Sequence, residues 1–460
     1  MQDGYNVQGV FMKSIYQYAT DRFVNFKTEV KMKSFKEMSK EELLEQKAQL
    51  EKRVEEFKAM NLSLNMTRGK PAPNQLSMSD DMYTDLSKKG FKAEDGSDTR
   101  NYGVATGLPE VKKLFAEVIG ARNADNIFIG NGSSLNLMFD TIMRAMVFGE
   151  HDSPKPWSQV EGRKWLCPVP GYDRHFKVTE TCGFELIPVP LKEDGPDMDI
   201  VEELVKDPTV LGMWNVPCYT NPDGYVYSEE VCKRLASMKT AAPDFRLFWD
   251  NAYCVHHLYN EESRQGRIPD ILGLCEDAGN PSRVYEFASS SKVTFASAGI
   301  SCLAANEENY KYAVKIIGVQ TIGSNKVNQL AHVRFIPNLD ALKAHMAKHA
   351  EILRPKFELT LDILEKELAG TDAASWHKPL GGYFISVYTL PGTAKAVIAK
   401  CNELGVAFTP AGATYPYGND PDDSNIRVAP SFPSLEDINK AVEVFAVCVK
   451  LSAVEKLLSV

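Results

Sequence analysis

Seven short apolar runs, spaced by longer mixed segments, occupy the middle of this chain: Ile127–Gly130, Trp165–Val169, Phe184–Val189, Val210–Val216, Arg246–Trp249, Val284–Ala288 and Ile300–Ala304. Several are separated by stretches of helical period, such as Leu135–Val147 and Ser228–Met238. Strands this short and this uniformly apolar are covered on both faces. Strands alternating with helices predict an α/β domain whose mostly parallel sheet lies between helices. Ligands of such sheets sit at the carboxyl ends of the strands, so the residues just after each run are where chemistry is to be sought.

The flanks read differently. Ser39–Met60 has the pattern of a charged amphipathic helix, with Ser39 ahead of Glu41 and Glu42 as its start signal. Asn65–Gln75 is a loop carrying Gly69, Pro71 and Pro73, and Leu108–Ile119 is helical again. Beyond residue 335 come a long helix over Asp340–Leu368, a strand at Gly381-Gly382-Tyr383-Phe384, a loop rich in Gly and Pro, and a last helix. A chain of 460 residues, 44% of them hydrophobic, exceeds what one core usually serves. The expected organisation is an extension over 1–31, a helix and loop over 32–85 belonging to a smaller α+β domain, a large domain over 86–330, and the rest of the small domain over 331–460.

The net charge of −9 argues against a nucleic-acid surface, while leaving room for a local basic pocket. Nine scattered cysteines show no CxxC spacing and no histidine neighbours in a metal-ligand pattern. An odd number in a long chain reads as reduced thiols of a cytoplasmic protein, without metal. No run of eighteen apolar residues suggests a membrane span, and the first thirty residues lack the apolar core of a signal peptide.

Each strand end carries a modest signal. Asn131-Gly132-Ser133-Ser134 opens a helix, either as a plain N-cap or as an anion site of amides and hydroxyls. Tyr172 and Arg174, in Pro170-Gly171-Tyr172-Asp173-Arg174-His175, are a packed tyrosine and a solvated arginine, or a stacking ring and a carboxylate clamp. Tyr219-Thr220-Asn221-Pro222-Asp223-Gly224 is turn chemistry first. Asp250, in Asp250-Asn251-Ala252-Tyr253, needs a donor partner, which a structural ion pair would also supply. Lys292, after Ser289-Ser290-Ser291, suits a surface lysine equally well. Arg427, inside Asn425-Ile426-Arg427-Val428, wants an anion, whether a structural partner or a substrate carboxylate.

The order of these parts is more specific than any one of them. Over about residues 40 to 455 the chain resembles the fold-type I pyridoxal-phosphate aminotransferases. More narrowly it resembles the bacterial subgroup of aspartate aminotransferases that carries Arg-Gly-Lys-Pro near the start, here Arg68-Gly69-Lys70-Pro71.

That resemblance implies pyridoxal 5'-phosphate held as a Schiff base on Lys292, which also shuttles the proton, because a lysine both forms the imine and returns as a base. Asp250 is implied to face the pyridine nitrogen, with His175 behind it. Tyr253 and Asn221 are implied to bind the phenolic oxygen, and Tyr172 to stack on the ring. Gly132, Ser133, Ser134, Ser289 and Ser291 would cradle the phosphate. Tyr102, in Asn-Tyr-Gly-x-x-x-Gly-Leu, would reach the phosphate of the neighbouring subunit, which implies a homodimer with shared sites. Arg427 would take the substrate α-carboxylate beside Asn221, with Gly69 closing over it.

Two departures stand out. The family's cation eight residues after the lysine is replaced by Ile300, which leaves the phosphate to hydroxyls and amides, with a lysine such as Lys326 as a substitute. The region where the partner's side-chain-binding arginine is usual holds Gln320. A dicarboxylic substrate then needs another cation. Arg174 is the first candidate, because it follows the stacking tyrosine, and Arg68 and Lys70 come next. The function implied is ping-pong transfer of the amino group of aspartate to 2-oxoglutarate. Alternatives on the same scaffold are an aromatic or alanine aminotransferase, a β-lyase or a decarboxylase. A regulator that fuses a DNA-binding module to this domain is disfavoured, since residues 1–64 offer one charged helix and no such module.

Overall fold

The computed structural model describes residues 33–459; the expected extension over 1–31 lies outside them. Among the described residues thirteen strands occur in order: Leu64–Asn65 (β1), Ile127–Asn131 (β2), Lys164–Val169 (β3), Glu185–Lys192 (β4), Gly195–Pro196 (β5), Val210–Asn215 (β6), Arg246–Asp250 (β7), Val284–Ser289 (β8), Ile300–Ala304 (β9), Ala374–Trp376 (β10), Ile385–Thr389 (β11), Val406–Ala407 (β12) and Asn425–Val428 (β13). Eight of them form the main sheet, in the order β2-β9-β8-β7-β6-β3-β4-β5. The ladders β4/β3, β3/β6, β6/β7 and β7/β8 are parallel. Strand β9 is antiparallel to both β8 and β2, so β2 runs in the same direction as β8. The carboxyl ends of β2, β8, β7, β6 and β3 therefore open on one edge. β3, β6 and β7 are almost wholly buried, as their largely apolar runs require. In β4, Pro188 and Pro190 are exposed, near an edge that pairs only with the two residues of β5, where a missing N–H is tolerated.

The second core is built on the antiparallel sheet β10-β11-β13 and the parallel pair β1/β12. The helix Lys40–Ala59 starts on a capping box: the Glu42 N–H donates to Ser39 Oγ at 3.2 Å, and the Ser39 N–H donates to Glu42 Oε2 at 2.7 Å. Its buried residues Leu43, Leu50 and Phe57 recur every seven positions, a seam that packs on the C-terminal helix Leu435–Leu458. The segment expected to belong wholly to this domain, 32–85, divides between the cores. Phe35 to Met66 join the second core, whereas Met82 joins the first, with Leu86 beside it.

The helix Leu339–Leu368 has 30 residues, about 45 Å at 1.5 Å per residue, and links the two bodies. Leu342 and Met346 near its start pack with Val293 and Ile336, and Leu353, Phe357, Leu364 and Leu368 pack in the second core. The strand expected at Gly381–Phe384 begins later, at Ile385. Gly382 has φ +81°, and a Cβ on Gly381 would lie 2.2 Å from the Tyr219 ring. These glycines form a tight turn against a side chain, so the extended backbone starts only beyond them.

The seam predicts a contrast within one helix. Leu50→Ala should cost about 2–5 kcal/mol in denaturant-induced unfolding, whereas Leu44→Ala, at an exposed position, should stay within about 0.5 kcal/mol.

Candidate active site

Every strand end named above feeds one cleft of about 620 Å³ between the cores. Its walls include Ser133, Ser134, Tyr172, Asp173, Arg174, Asn221, Asp250, Tyr253, Ser289, Ser291, Lys292 and Arg427, together with Arg68, Gly69 and Lys70. Five cations and two carboxylates line it, so a chain of net charge −9 presents an electropositive cavity.

Asp250 ends β7, is buried, and accepts from His175 Nε2 at 3.0 Å and from Ser134 Oγ at 3.2 Å. His175 is buried and stacked on Trp214, with ring centroids 4.4 Å apart and planes 11° from parallel. Nε2 must carry a proton to donate to the carboxylate, which fixes the tautomer or the charge of the ring. Tyr172 precedes the same helix and meets His175 edge-on, and burial pushes its hydroxyl up to about 12. Burial also raises the Tyr253 hydroxyl well above the ordinary tyrosine value, so both remain protonated donors at neutral pH.

Lys292 lies in the turn after β8, with Nζ 4.7 Å from the centre of the Tyr253 ring. Its own carbonyl accepts from Tyr383 Oη at 3.4 Å, and the next carbonyl, of Val293, accepts from His345 Nε2 at 2.8 Å. Arg427, from β13 in the second core, reaches across: Nη1 donates to Asn221 Oδ1 at 3.2 Å and to Asp173 Oδ1 at 3.1 Å. Its guanidinium lies 4.9 Å from the centre of the Phe384 ring. A Cβ on Gly69 would come within 2.5 Å of Phe384, so only glycine lets the Arg68–Lys70 segment sit this close to the cleft.

Some residues sit apart from the lining. The Gly132 N–H is committed to the Gly299 carbonyl at 3.0 Å, and its φ of +72° turns the chain into the helix Ser134–Phe148. Tyr102 is 80% exposed, in a separate depression with Gln320 and Lys326. Lys326 is thus outside the cleft that holds Lys292, and Gln320 donates to Asp140 at 3.2 Å. Phe384, Thr409 and Pro410 also line the cleft and Tyr383 reaches the Lys292 carbonyl, yet the sequence pointed to none of them as site residues: Tyr383 and Phe384 read only as part of a strand. Asp173 stands inside a motif that was read, yet its partner is 254 residues away and has no local signature. Among the described residues no His/Cys/Asp/Glu group is placed to hold a metal, and no helix is long and apolar enough to cross a membrane.

A mostly parallel sheet whose strand ends bring one amine and one imidazole-backed carboxylate to an interdomain cleft has the fold of the type I pyridoxal-phosphate aminotransferases. Solved relatives agree. The aspartate transaminase of Corynebacterium glutamicum matches with TM-score 0.90 at 46% identity, covering 92% of this chain and 99% of that one. The α-aminoadipate aminotransferase LysN of Thermus thermophilus, complexed with N-(5'-phosphopyridoxyl)-L-leucine, shares the fold at TM-score 0.67 and 21% identity, covering 86% and 93%. In sequence, the aspartate aminotransferase of Corynebacterium glutamicum is 48% identical over 406 residues, 88% of this chain and 93% of its own. Residues 38–460 match the family model described as aspartate amino-transferase, and the chain belongs to that family. It is a transaminase.

Behind the Lys292 turn, burial holds the imidazoles of His256, His332, His345 and His349 below the ordinary histidine value, His349 at about 4. Unfolding would return His349 to about 6.5, so between these values the unfolded chain binds a proton that the native state refuses. Its contribution to stability is therefore complete above about pH 6.5 and is lost as the pH falls toward 4. His349→Gln should flatten the decline of unfolding free energy between pH 7 and 5, by at most about 1.4 kcal/mol per pH unit, in denaturant titrations at each pH.

Proposed function

We propose that the protein is an aspartate:2-oxoglutarate aminotransferase that holds pyridoxal 5'-phosphate on Lys292 and works as a homodimer. One observation carries this reading: Lys292, the His175-backed carboxylate of Asp250 and the guanidinium of Arg427 all line one cleft. The residues present suit the cofactor. Asp250 offers a fixed anion for a pyridinium N–H, and the hydroxyl of Tyr253 and the amide of Asn221 offer donors for a phenolic oxygen. The Tyr172 ring offers a stacking face. The helix Ser134–Phe148 has no side-chain cap from Ser133, which leaves its first-turn amides, with the hydroxyls of Ser133, Ser289 and Ser291, for a phosphate. In the same reading Tyr102, exposed beside Val319 and Ile322, completes the phosphate site of a second subunit.

When bound, the cofactor supplies an electron sink for charge developing at the substrate Cα. The chain supplies the rest. Arg427 binds the α-carboxylate through the planar fork of its guanidinium, next to Asn221. Lys292, once its amine is free, takes the proton from Cα and returns it elsewhere, as a general base and then acid. The Arg68–Lys70 segment closes over the cleft and excludes water. Arg174, exposed on the cleft wall, binds the distal carboxylate of aspartate or glutamate. Of the other candidates, Lys70 has its ammonium 3.9 Å from the centre of the Phe432 ring. Aspartate leaves as oxaloacetate, and 2-oxoglutarate takes the amino group and leaves as glutamate.

Aspartate alone should change the absorbance of the bound cofactor, and 2-oxoglutarate should restore it. Borohydride should fix the cofactor to Lys292, and Lys292→Ala should abolish the labelling. Arg174→Ala should lower kcat/KM for aspartate by roughly 10- to 100-fold, the value of a lost charge-assisted hydrogen bond, with a much smaller effect on alanine. A loss within a few-fold would assign the distal carboxylate to another cation.

A further inference from the structure

Without substrate, Arg427 is already holding a carboxylate. Both hydrogens of Nη1 are committed, one to Asn221 Oδ1 at 3.2 Å and one to Asp173 Oδ1 at 3.1 Å. Nε is buried without a partner, and the guanidinium lies against the Phe384 ring. An incoming carboxylate that needs two parallel N–H groups cannot reach the Nε edge, so it must use the terminal edge, where Asp173 sits.

The two members of this pair differ in freedom. The Arg427 side chain is 8% exposed and rooted in β13, whereas that of Asp173 is 37% exposed and stands in the first turn of the helix Asp173–Thr181. Released from Arg427, Asp173 would be solvated by water and favoured by the helix N-terminus. Arg427 left without an anion would be a buried charge with an unmet donor. The arrangement is that of a fixed cation with an exchangeable partner.

We propose that Asp173 is a resident stand-in for the substrate carboxylate, occupying the terminal edge of Arg427 in the free enzyme and displaced when an amino or oxo acid enters. This rests on the reading of Arg427 as the α-carboxylate site. Asp173 is a positioning residue that keeps the buried guanidinium paired and aimed between turnovers, at the expense of weaker binding for every carboxylate that must displace it. A purely supporting role, with Asp173 bound to Arg427 throughout, predicts the opposite sign.

The test is the affinity of the cofactor-loaded full-length enzyme for succinate, a dicarboxylate with no amino or oxo group to exchange, measured by calorimetry. Asp173→Asn and Asp173→Ala should each tighten succinate binding about three- to tenfold, and should lower KM for both aspartate and 2-oxoglutarate by a similar factor. Unchanged or weaker binding in the variant that folds overturns the proposal. Arg427→Lys should weaken succinate binding at least tenfold. If it does not, the assignment of Arg427 falls and this inference with it. A sensitive Arg427→Lys enzyme beside an insensitive Asp173→Asn enzyme removes the inference alone.

Discussion

The carboxylate of Asp250 is the constraint around which the cleft is arranged. A buried carboxylate is costly unless donors meet it, and here they come from two helices. Ser134 reaches it from the start of one and His175 from the first turn of another. His175 is itself fixed by stacking on Trp214 of β6. The Trp214 indole donates to Thr179 Oγ1 at 3.2 Å, and that hydroxyl donates to the His175 carbonyl at 3.3 Å. Satisfying one charge thus sets the angle of the helix Asp173–Thr181, and with it the positions of Tyr172, Asp173 and Arg174 along the cleft wall.

The second core reaches the cleft through a few polar threads. Arg427 crosses from β13 to Asn221 and Asp173. Tyr388 of β11 donates to both oxygens of Asp223, whose carboxyl burial raises to about 6. Gln75, four residues beyond Pro71, donates to His349 at 2.9 Å, and His349 contacts His345 at 3.2 Å. His345 holds the Val293 carbonyl. The loop that carries Arg68 and Lys70 is in this way connected through buried hydrogen bonds to the turn that carries Lys292. Polar contacts between apolar cores are directional, so they fix a register between the two bodies that apolar packing alone would leave loose.

The sheet was legible in the sequence because a strand covered on both faces must be largely apolar; the runs at Trp165–Val169 and Val284–Ala288 lie within one residue of β3 and β8. Candidate residues at strand ends followed from the same rule, since a parallel sheet gathers its carboxyl ends on one edge. What stayed hidden were contacts made across long separations. Nothing in Gly381-Gly382-Tyr383-Phe384 reveals that the glycines yield to Tyr219 or that Phe384 lies under Arg427. The cluster of His256 from a loop with His345 and His349 from the helix Leu339–Leu368 had no local sign, because its members are brought together only by the packing. The division of 32–85 between two cores was equally invisible, since Leu50 and Leu86 are alike as residues and differ only in what they meet.

Ile300 shows why a missing cation need not be a defect. It opens β9, buried between β2 and β8, where Asn131 is its cross-strand partner. Its N–H donates to Ser290 Oγ at 3.0 Å, and its carbonyl accepts from the Ser290 N–H at 2.9 Å. A guanidinium at this point would add a charge among apolar side chains, and the nearby hydroxyls are already paired: Ser290 to Ile300, and Ser289 to Ser291 at 3.2 Å. Ser289 and Ser291 retain rotatable hydroxyls on the cleft wall. Hydroxyls and helix-start amides hold a phosphate by directed hydrogen bonds, as a guanidinium does while also adding a full charge. With four cations besides Lys292 already lining the cleft, the electrostatic part is distributed over the cavity, and the local requirement is direction. The isoleucine side chain is buried at the start of β9, while its main chain ties the strand to Ser290, two residues before Lys292.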